Sequence, residues 1–215
     1  HHPRQGGLAG YPSKRRIANR NPSSTVLVVA EGWTERIYFT GLRSRKSAVK
    51  IVVPKSHPTD ALGLVKLCVE NMDMKGIDID QGDMAVCVFD IEGNDAGNLS
   101  QALKLAHGSG IMLAMTNPCF ELWFLMHFQD VGVAISCQEA HRSLKDHIKG
   151  YHKTEDYHDL LGPLRQGAMD RALRTWSEGT EESIPPNPGT TMHIALSEID
   201  GLVQRNHQSR SLGHI

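Results

Sequence analysis

Three short apolar runs, each followed by a stretch with helical spacing, most constrain what this chain can become. Thr25-Val26-Leu27-Val28-Val29-Ala30, Met84-Ala85-Val86-Cys87-Val88-Phe89 and Ile111-Met112-Leu113-Ala114-Met115 carry no charged side chain. A strand with one wet face alternates polar and apolar residues; an unbroken apolar run implies cover on both faces, as in a parallel sheet. None approaches the ~20 residues needed to cross a bilayer. Ile37, Tyr38 and Leu42 follow the first run at helical spacing, starting near Thr34. Val49 to Val53 is a further short strand, stopped by Pro54. Thr59 or Asp60 then caps a helix with Leu62, Val65, Leu67, Cys68 and Met72 on it. The turn Gly93-Asn94-Asp95 opens another, with Leu99, Leu103 and Leu105. Such alternation predicts an α/β fold, a mostly parallel, Rossmann-like sheet flanked by helices.

The pattern changes after Thr116. Pro118 suits the first turn of a helix, and Phe120 to Phe128 is apolar nearly all round, which predicts a deeply packed helix. Further helices are expected over Ser136 to Lys149, within Tyr157 to Ser177, and from Met192 to Val203, with a Pro-rich loop at Ser183 to Asn187. The expected organisation is a basic arm or tag remnant over residues 1–22, an α/β core over 23–117, a C-terminal helical extension over 118–205 packed on it, and a frayed tail over 206–215.

Formal net charge is −1 with histidines neutral, so nucleic-acid binding must rest on local basic patches. One such patch is Lys14, Arg15, Arg16 and Arg20 in the arm; another is Lys145, His147, Lys149, His152 and Lys153. Cys68, Cys87, Cys119 and Cys137 form no CxxC pair, so four reduced thiols of a cytoplasmic protein are expected, with no zinc site and no membrane partner. The polar N-terminal stretch lacks the form of a signal peptide.

Acids follow two of the apolar runs. Glu31 succeeds the first, and Asp90 and Glu92 the second. In open α/β sheets ligands bind beyond the carboxyl ends of the strands. Two carboxylates ~4 Å apart there repel by about 4 kcal/mol at an effective dielectric near 20. A hard divalent cation, Mg²⁺ or Mn²⁺, removes that repulsion. Asp90 and Glu92, two apart, share a face if the strand continues through them. Asp78 and Asp80 lie at the other end of that strand and read as surface turn acids. The glycine-containing turn at Gly93 lacks the ending of a Walker loop, so it does not support ATP binding.

Several segments together resemble one family. Val28-Val29-Ala30-Glu31-Gly32-Trp33-Thr34-Glu35-Arg36-Ile37-Tyr38-Phe39 looks like the opening motif of RloB-like proteins, V-C-E-G-x-x-T-E-x-x-Y-F. Val88-Phe89-Asp90-Ile91-Glu92 resembles its second acidic motif, usually D-x-D. Thr116-Asn117-Pro118-Cys119-Phe120-Glu121-Leu122-Trp123-Phe124-Leu125-Met126-His127-Phe128 is close to S-N-P-C-F-E-L-W-L-L-x-H-F. Tyr151-His152-Lys153 resembles Y-x-K, and Asn187-Pro188-Gly189-Thr190-Thr191-Met192-His193 resembles N-P-S-T-x-V-H. The resemblance implies a Toprim-like fold and a role in anti-phage defence or abortive infection, often beside a partner ATPase. It puts Glu31 at the lone Toprim glutamate and Asp90 and Glu92 at the paired acids, with Glu92 longer by one methylene than the usual Asp.

The expected activity is metal-dependent phosphodiester cleavage, of DNA ahead of RNA. Glu31, Asp90 and Glu92 are the expected metal ligands. Glu31, Glu35 and Lys153 are the expected catalytic groups: carboxylates to move protons, the lysine to neutralise a phosphate. Glu35 is equally readable as an acid favoured by the helix dipole. Asn117 reads first as a helix N-cap and then as a substrate contact. Glu121, in an apolar helix, needs a partner, with Lys153 a candidate. His127 reads first as a core histidine and then as a site residue. Two other functions fit the same residues: a non-catalytic or latent effector docking on an ATPase, and a metal-dependent nucleotide-processing enzyme.

Overall fold

The computed structural model describes residues 23–43, 49–58 and 60–212; the basic arm expected over 1–22 lies outside them. Strands β1 (Thr25–Ala30), β2 (Lys50–Val52), β3 (Met84–Asp90) and β4 (Met112–Asn117) are parallel, and β5 (Gly189–Thr190) pairs antiparallel with β4. The strand order is β2-β1-β3-β4-β5. In such a doubly wound sheet the order reverses between β1 and β3, and the crevice that opens there is the usual ligand position. Glu31 and Asp90 stand at that crevice.

Period-two alternation divides the apolar runs between two faces. Val26, Val28, Ala30, Val86 and Val88 face a core shared with α1 (Trp33–Arg43) and the C-terminal helices. Leu27, Val29, Ala85, Cys87 and Phe89 face α2 (Ala61–Lys75) and α3 (Ala96–Ser109). Both faces are covered, which is why the runs carry no charged residue. Asp60 caps α2 through Gly63 N–H, and Asp95 caps α3 through Asn98 N–H. Gly93 takes a positive φ of 84° in the turn between β3 and α3, a conformation glycine reaches without a Cβ clash. The polar groups of this turn tie elements together: Asn94 Nδ2 donates to Asp90 O at 2.8 Å and Asn94 Oδ1 accepts from Ala61 N–H at 2.8 Å.

The C-terminal part comprises α4 (Glu121–Leu125), α5 (Cys137–His147), α6 (His158–Leu161), α7 (Arg165–Thr175) and α8 (Met192–Leu212). The segment Phe120 to Phe128 is deeply packed as expected, with Trp123 fully buried, but α4 is shorter than the apolar run. Its last turn tightens: His127 N–H bonds Phe124 O and Phe128 N–H bonds Leu125 O, three residues back instead of four. Arg171 Nη1 donates to the Met126 and His127 carbonyls at 2.9 and 3.3 Å, satisfying groups that a longer helix would have paired. Pro118 precedes the helix instead of sitting in its first turn, after a cis Asn117–Pro118 bond.

Three further expectations are corrected. The chain does not fray from Asn206: α8 runs to Leu212, and Asn206 is buried, donating to Leu202 O and accepting from Ser24 Oγ. Asn117 is not an N-cap; it ends β4 and donates to Pro185 O at 2.9 Å. Cys119 and Cys137 are disulfide-bonded, their Cα atoms brought to 5.8 Å where the β4–α4 connection meets the start of α5. Cys68 and Cys87 are free and buried. The terminal motif has a structural use: Thr191 Oγ1 donates to Leu113 O and accepts from Met115 N–H, closing the edge of β4. Among the described residues, no helix is long and apolar enough to cross a membrane.

Candidate functional site

At the crevice beyond β1 and β3, four carboxyl side chains from separate elements face one another. Glu31 follows β1, Glu35 lies in the first turn of α1, Asp90 ends β3 and Glu121 opens α4. They line one cavity of about 690 Å³ together with Thr34, His141, Lys145, Tyr151 and Lys153. A second cavity of about 660 Å³ shares Asp90, Glu121, His141, Lys145 and Lys153 with it and adds Glu92, Arg142 and Gln138. The two form a continuous furrow.

Packing holds the carboxyls in place. Tyr38 of α1 meets Phe120 and Phe124 with ring centroids 5.7 and 5.9 Å apart, and the two phenylalanines meet edge-on at 5.2 Å. Aromatic pairs of this kind contribute about 0.5–1.5 kcal/mol each beyond their buried area. They fix α1, with Glu35, against α4, with Glu121. Thr34 Oγ1 donates to Lys153 O at 3.1 Å, which brings the loop after α5 over the carboxyls. Lys153 Nζ then reaches Glu121 Oε1 at 3.3 Å, the pairing a buried acid requires.

Burial and crowding shift the acids upward. Desolvation raises the Glu31 carboxyl, partly countered by the Asp90 N–H that it accepts from. Glu35, only 5 % exposed, is pushed up to about 7, first by burial and then by the charges of Glu121 and Glu31. Asp90 is pushed up to about 9 by burial, then by Glu35, Glu121 and Glu31; the Phe120 N–H, 2.9 Å from its Oδ1, works the other way. These groups titrate as a cluster, so neutral pH leaves some of them protonated.

Gly32 lets Glu35 fold back over the start of α1: a Cβ there would collide with Glu35 Oε2 and lie 3.3 Å from its Cδ. Gly32→Ala is therefore expected to displace that carboxylate while sparing the fold, since only the end of a flexible side chain must yield. Any hydrolysis carried by the crevice should fall by about a hundredfold, the scale of a 1 Å misplacement, with an unchanged melting temperature. Steady-state kinetics beside a thermal melt checks both halves.

The other expected site residues differ in placement. Glu92 is exposed, its Oε2 against Cys137 Sγ, and lines the second cavity with Asp90 and Glu121 but not the first. The strand stops at Asp90, so the side chains of Asp90 and Glu92 do not continue on one face. His127 is buried, its Nδ1–H donating to Trp123 O at 2.9 Å, and burial pushes it down to about 4; it is a neutral core histidine. Asn117 borders a different cavity with Pro118 and Asn187. Sequence reasoning missed His141 and Arg142. With Gln138 and Lys145 they follow i, i+3, i+4, i+7 spacing on α5, which puts all four on one face turned to the furrow.

Among the described residues, no three His, Cys, Asp or Glu side chains are gathered in a geometry ready to hold a metal ion. The donor chemistry nonetheless suits one. Mg²⁺ is commonly held by one or two carboxylates with water and substrate phosphate completing its shell. Glu31 and Asp90, all-oxygen donors in contact through the Asp90 N–H, meet that requirement.

Fold and site together define an α/β protein with a carboxylate-lined crevice at its topological switch point. A family model described as RloB-like protein matches residues 26–199, and the chain belongs to that family. No curated protein and no solved structure matches it.

Proposed function

We propose that this protein is a metal-dependent nuclease of the Toprim type, hydrolysing phosphodiester bonds in nucleic acid. The observation that carries the reading is the convergence of Glu31, Glu35, Asp90 and Glu121 beside Lys153 at the crevice. Glu31 and Asp90 would hold Mg²⁺ or Mn²⁺, which supplies Lewis-acid stabilisation of phosphoryl charge. Glu35, poised near neutrality, accepts a proton from the attacking water and returns it to the leaving oxygen. Lys153 pairs with Glu121 and offers its remaining ammonium hydrogens to a phosphate oxygen. The cationic face of α5 forms the wall opposite the acids and receives the flanking backbone. A role in anti-phage defence beside a partner ATPase is supported by the family resemblance and not by this geometry.

Purified protein incubated with labelled DNA and RNA oligonucleotides and Mn²⁺ tests the reading. Cleavage that stops with EDTA and returns with excess Mn²⁺ is expected. Intact oligonucleotides, at equimolar protein and across both substrates, would refute it.

A further inference from the structure

Trp33 is the one large aromatic residue left exposed among the described residues, at 63 %. It opens α1, where an indole adds nothing to helix stability and its exposed ring gains no burial. The Arg36 guanidinium lies 4.3 Å from its ring centroid. Trp33 also stands where two cavities meet. One is the carboxylate cavity; the other, about 420 Å³, is lined by Arg36, Ile37, Val53, Pro54 and Lys55 among others. The furrow thus runs from Arg36 and Lys55, past Trp33 and over the carboxyls, to Lys145 and Arg142. Neither Arg142 nor Lys145 is engaged in an ion pair among the described residues.

We propose that this furrow binds a single-stranded polynucleotide, with one base stacked on Trp33 and backbone phosphates held by Arg36 and Lys55 at one end and by Arg142 and Lys145 at the other. Every base has a π-face, so stacking on an aromatic platform is tolerant of sequence, and an arginine beside the ring adds a cation–π contribution. A duplex keeps its bases stacked on one another and has none to offer Trp33. Positive groups on both sides of the carboxyls suit a chain that passes through, in contrast to a mononucleotide with one phosphate cluster. The proposal rests on the phosphodiester reading above and adds the strandedness of the substrate.

Fluorescence anisotropy with labelled 12-mers in EDTA tests binding apart from cleavage. Single-stranded DNA and RNA and a blunt-ended duplex of the same length are compared, with a mononucleotide as competitor. Single strands of at least one sugar type are expected to bind tenfold or more tighter than the duplex. Trp33→Ala should weaken them about tenfold or more, and Trp33→Tyr should retain most of the affinity. Arg142→Ala with Lys145→Ala should lower the slope of log K against log salt by about 1.4, or ~0.7 for each phosphate no longer neutralised. Duplex binding as tight as single-strand binding, full affinity in Trp33→Ala, or equal competition by the mononucleotide would overturn the proposal. Expected binding without Mn²⁺-dependent cleavage would leave the furrow standing and remove the hydrolytic reading. Cleavage with unchanged affinity in Trp33→Ala would do the reverse.

Discussion

Asp90→Asn is expected to lose metal-dependent cleavage by roughly 10²–10⁴-fold and to lose no stability at pH 7. The two outcomes have one cause. Buried among three other acids, Asp90 is pushed up to about 9, so the resting side chain is neutral at pH 7 and asparagine is nearly its isostere. The Asn Oδ1 still accepts the Phe120 N–H that Asp90 Oδ1 accepts at 2.9 Å. What asparagine cannot do is ionise when a cation arrives. A residue needed only for packing would lower the melting temperature together with the activity. Single-turnover cleavage alongside a thermal melt at pH 7 separates the cases; a melting temperature lowered by more than a few degrees would count against a site role. Glu92→Gln is the contrast. Its side chain is exposed and lies against Cys137 Sγ, outside the cavity that gathers Glu31, Glu35 and Asp90, and its loss should cost much less turnover than that of Asp90.

The second large effect is an inverted pH dependence that a divalent cation abolishes. An unfolded Asp or Glu titrates near 4. Glu35 and Asp90 titrate at about 7 and about 9 in the fold. Between those limits the folded state binds more protons than the unfolded one, so stability falls as pH rises. Their contribution is complete below about pH 4 and lost by about pH 9. His127, pushed down to about 4, acts oppositely below its unfolded value of about 6.5, and the buried thiols Cys68 and Cys87, both pushed up by burial, add a fall of the same sign once unfolded thiols ionise near 8.5, so the range from pH 7 to 8 isolates the acids. A tenfold difference in proton affinity between the folded and unfolded states amounts to about 1.4 kcal/mol. A drop of roughly 5–10 °C in melting temperature from pH 7 to 9 in EDTA is expected for a chain of this size. Mn²⁺ should restore most of it at pH 9 and do little at pH 5, where protons occupy the carboxyls. In Glu35→Gln with Asp90→Asn, the response to Mn²⁺ should disappear and the slope should shrink to the part that Cys68 and Cys87 contribute near pH 9. A flat wild-type profile above pH 7 in EDTA would contradict the crowding of these acids.

The parallel sheet was legible because burial on both faces leaves a one-dimensional trace. Thr25–Ala30 and Met84–Asp90 show it as apolar runs, the second ending at its acid. The cap at Asp60 was equally legible, because a cap is a contact between residues three apart. The two-residue strand Gly189–Thr190 was not, since its pairing partner is β4, more than 70 residues earlier. The Cys119–Cys137 bond and the early end of α4, whose carbonyls Arg171 takes, escaped for the same reason.

The sequence by itself determined the α/β class, the order of the elements and the placing of Glu31 and Asp90 at the carboxyl ends of strands, because local burial patterns and strand termini are properties of neighbouring residues. Only the tertiary structure decided which carboxyls share a site. It set Glu35 and Glu121, both already candidates, beside Glu31 and Asp90, left Glu92 exposed, buried His127 and aligned α5 as a cationic wall. Those choices depend on how α1, α4 and α5 pack on the sheet, and side-chain convergence across packed elements has no signature in any single stretch of chain.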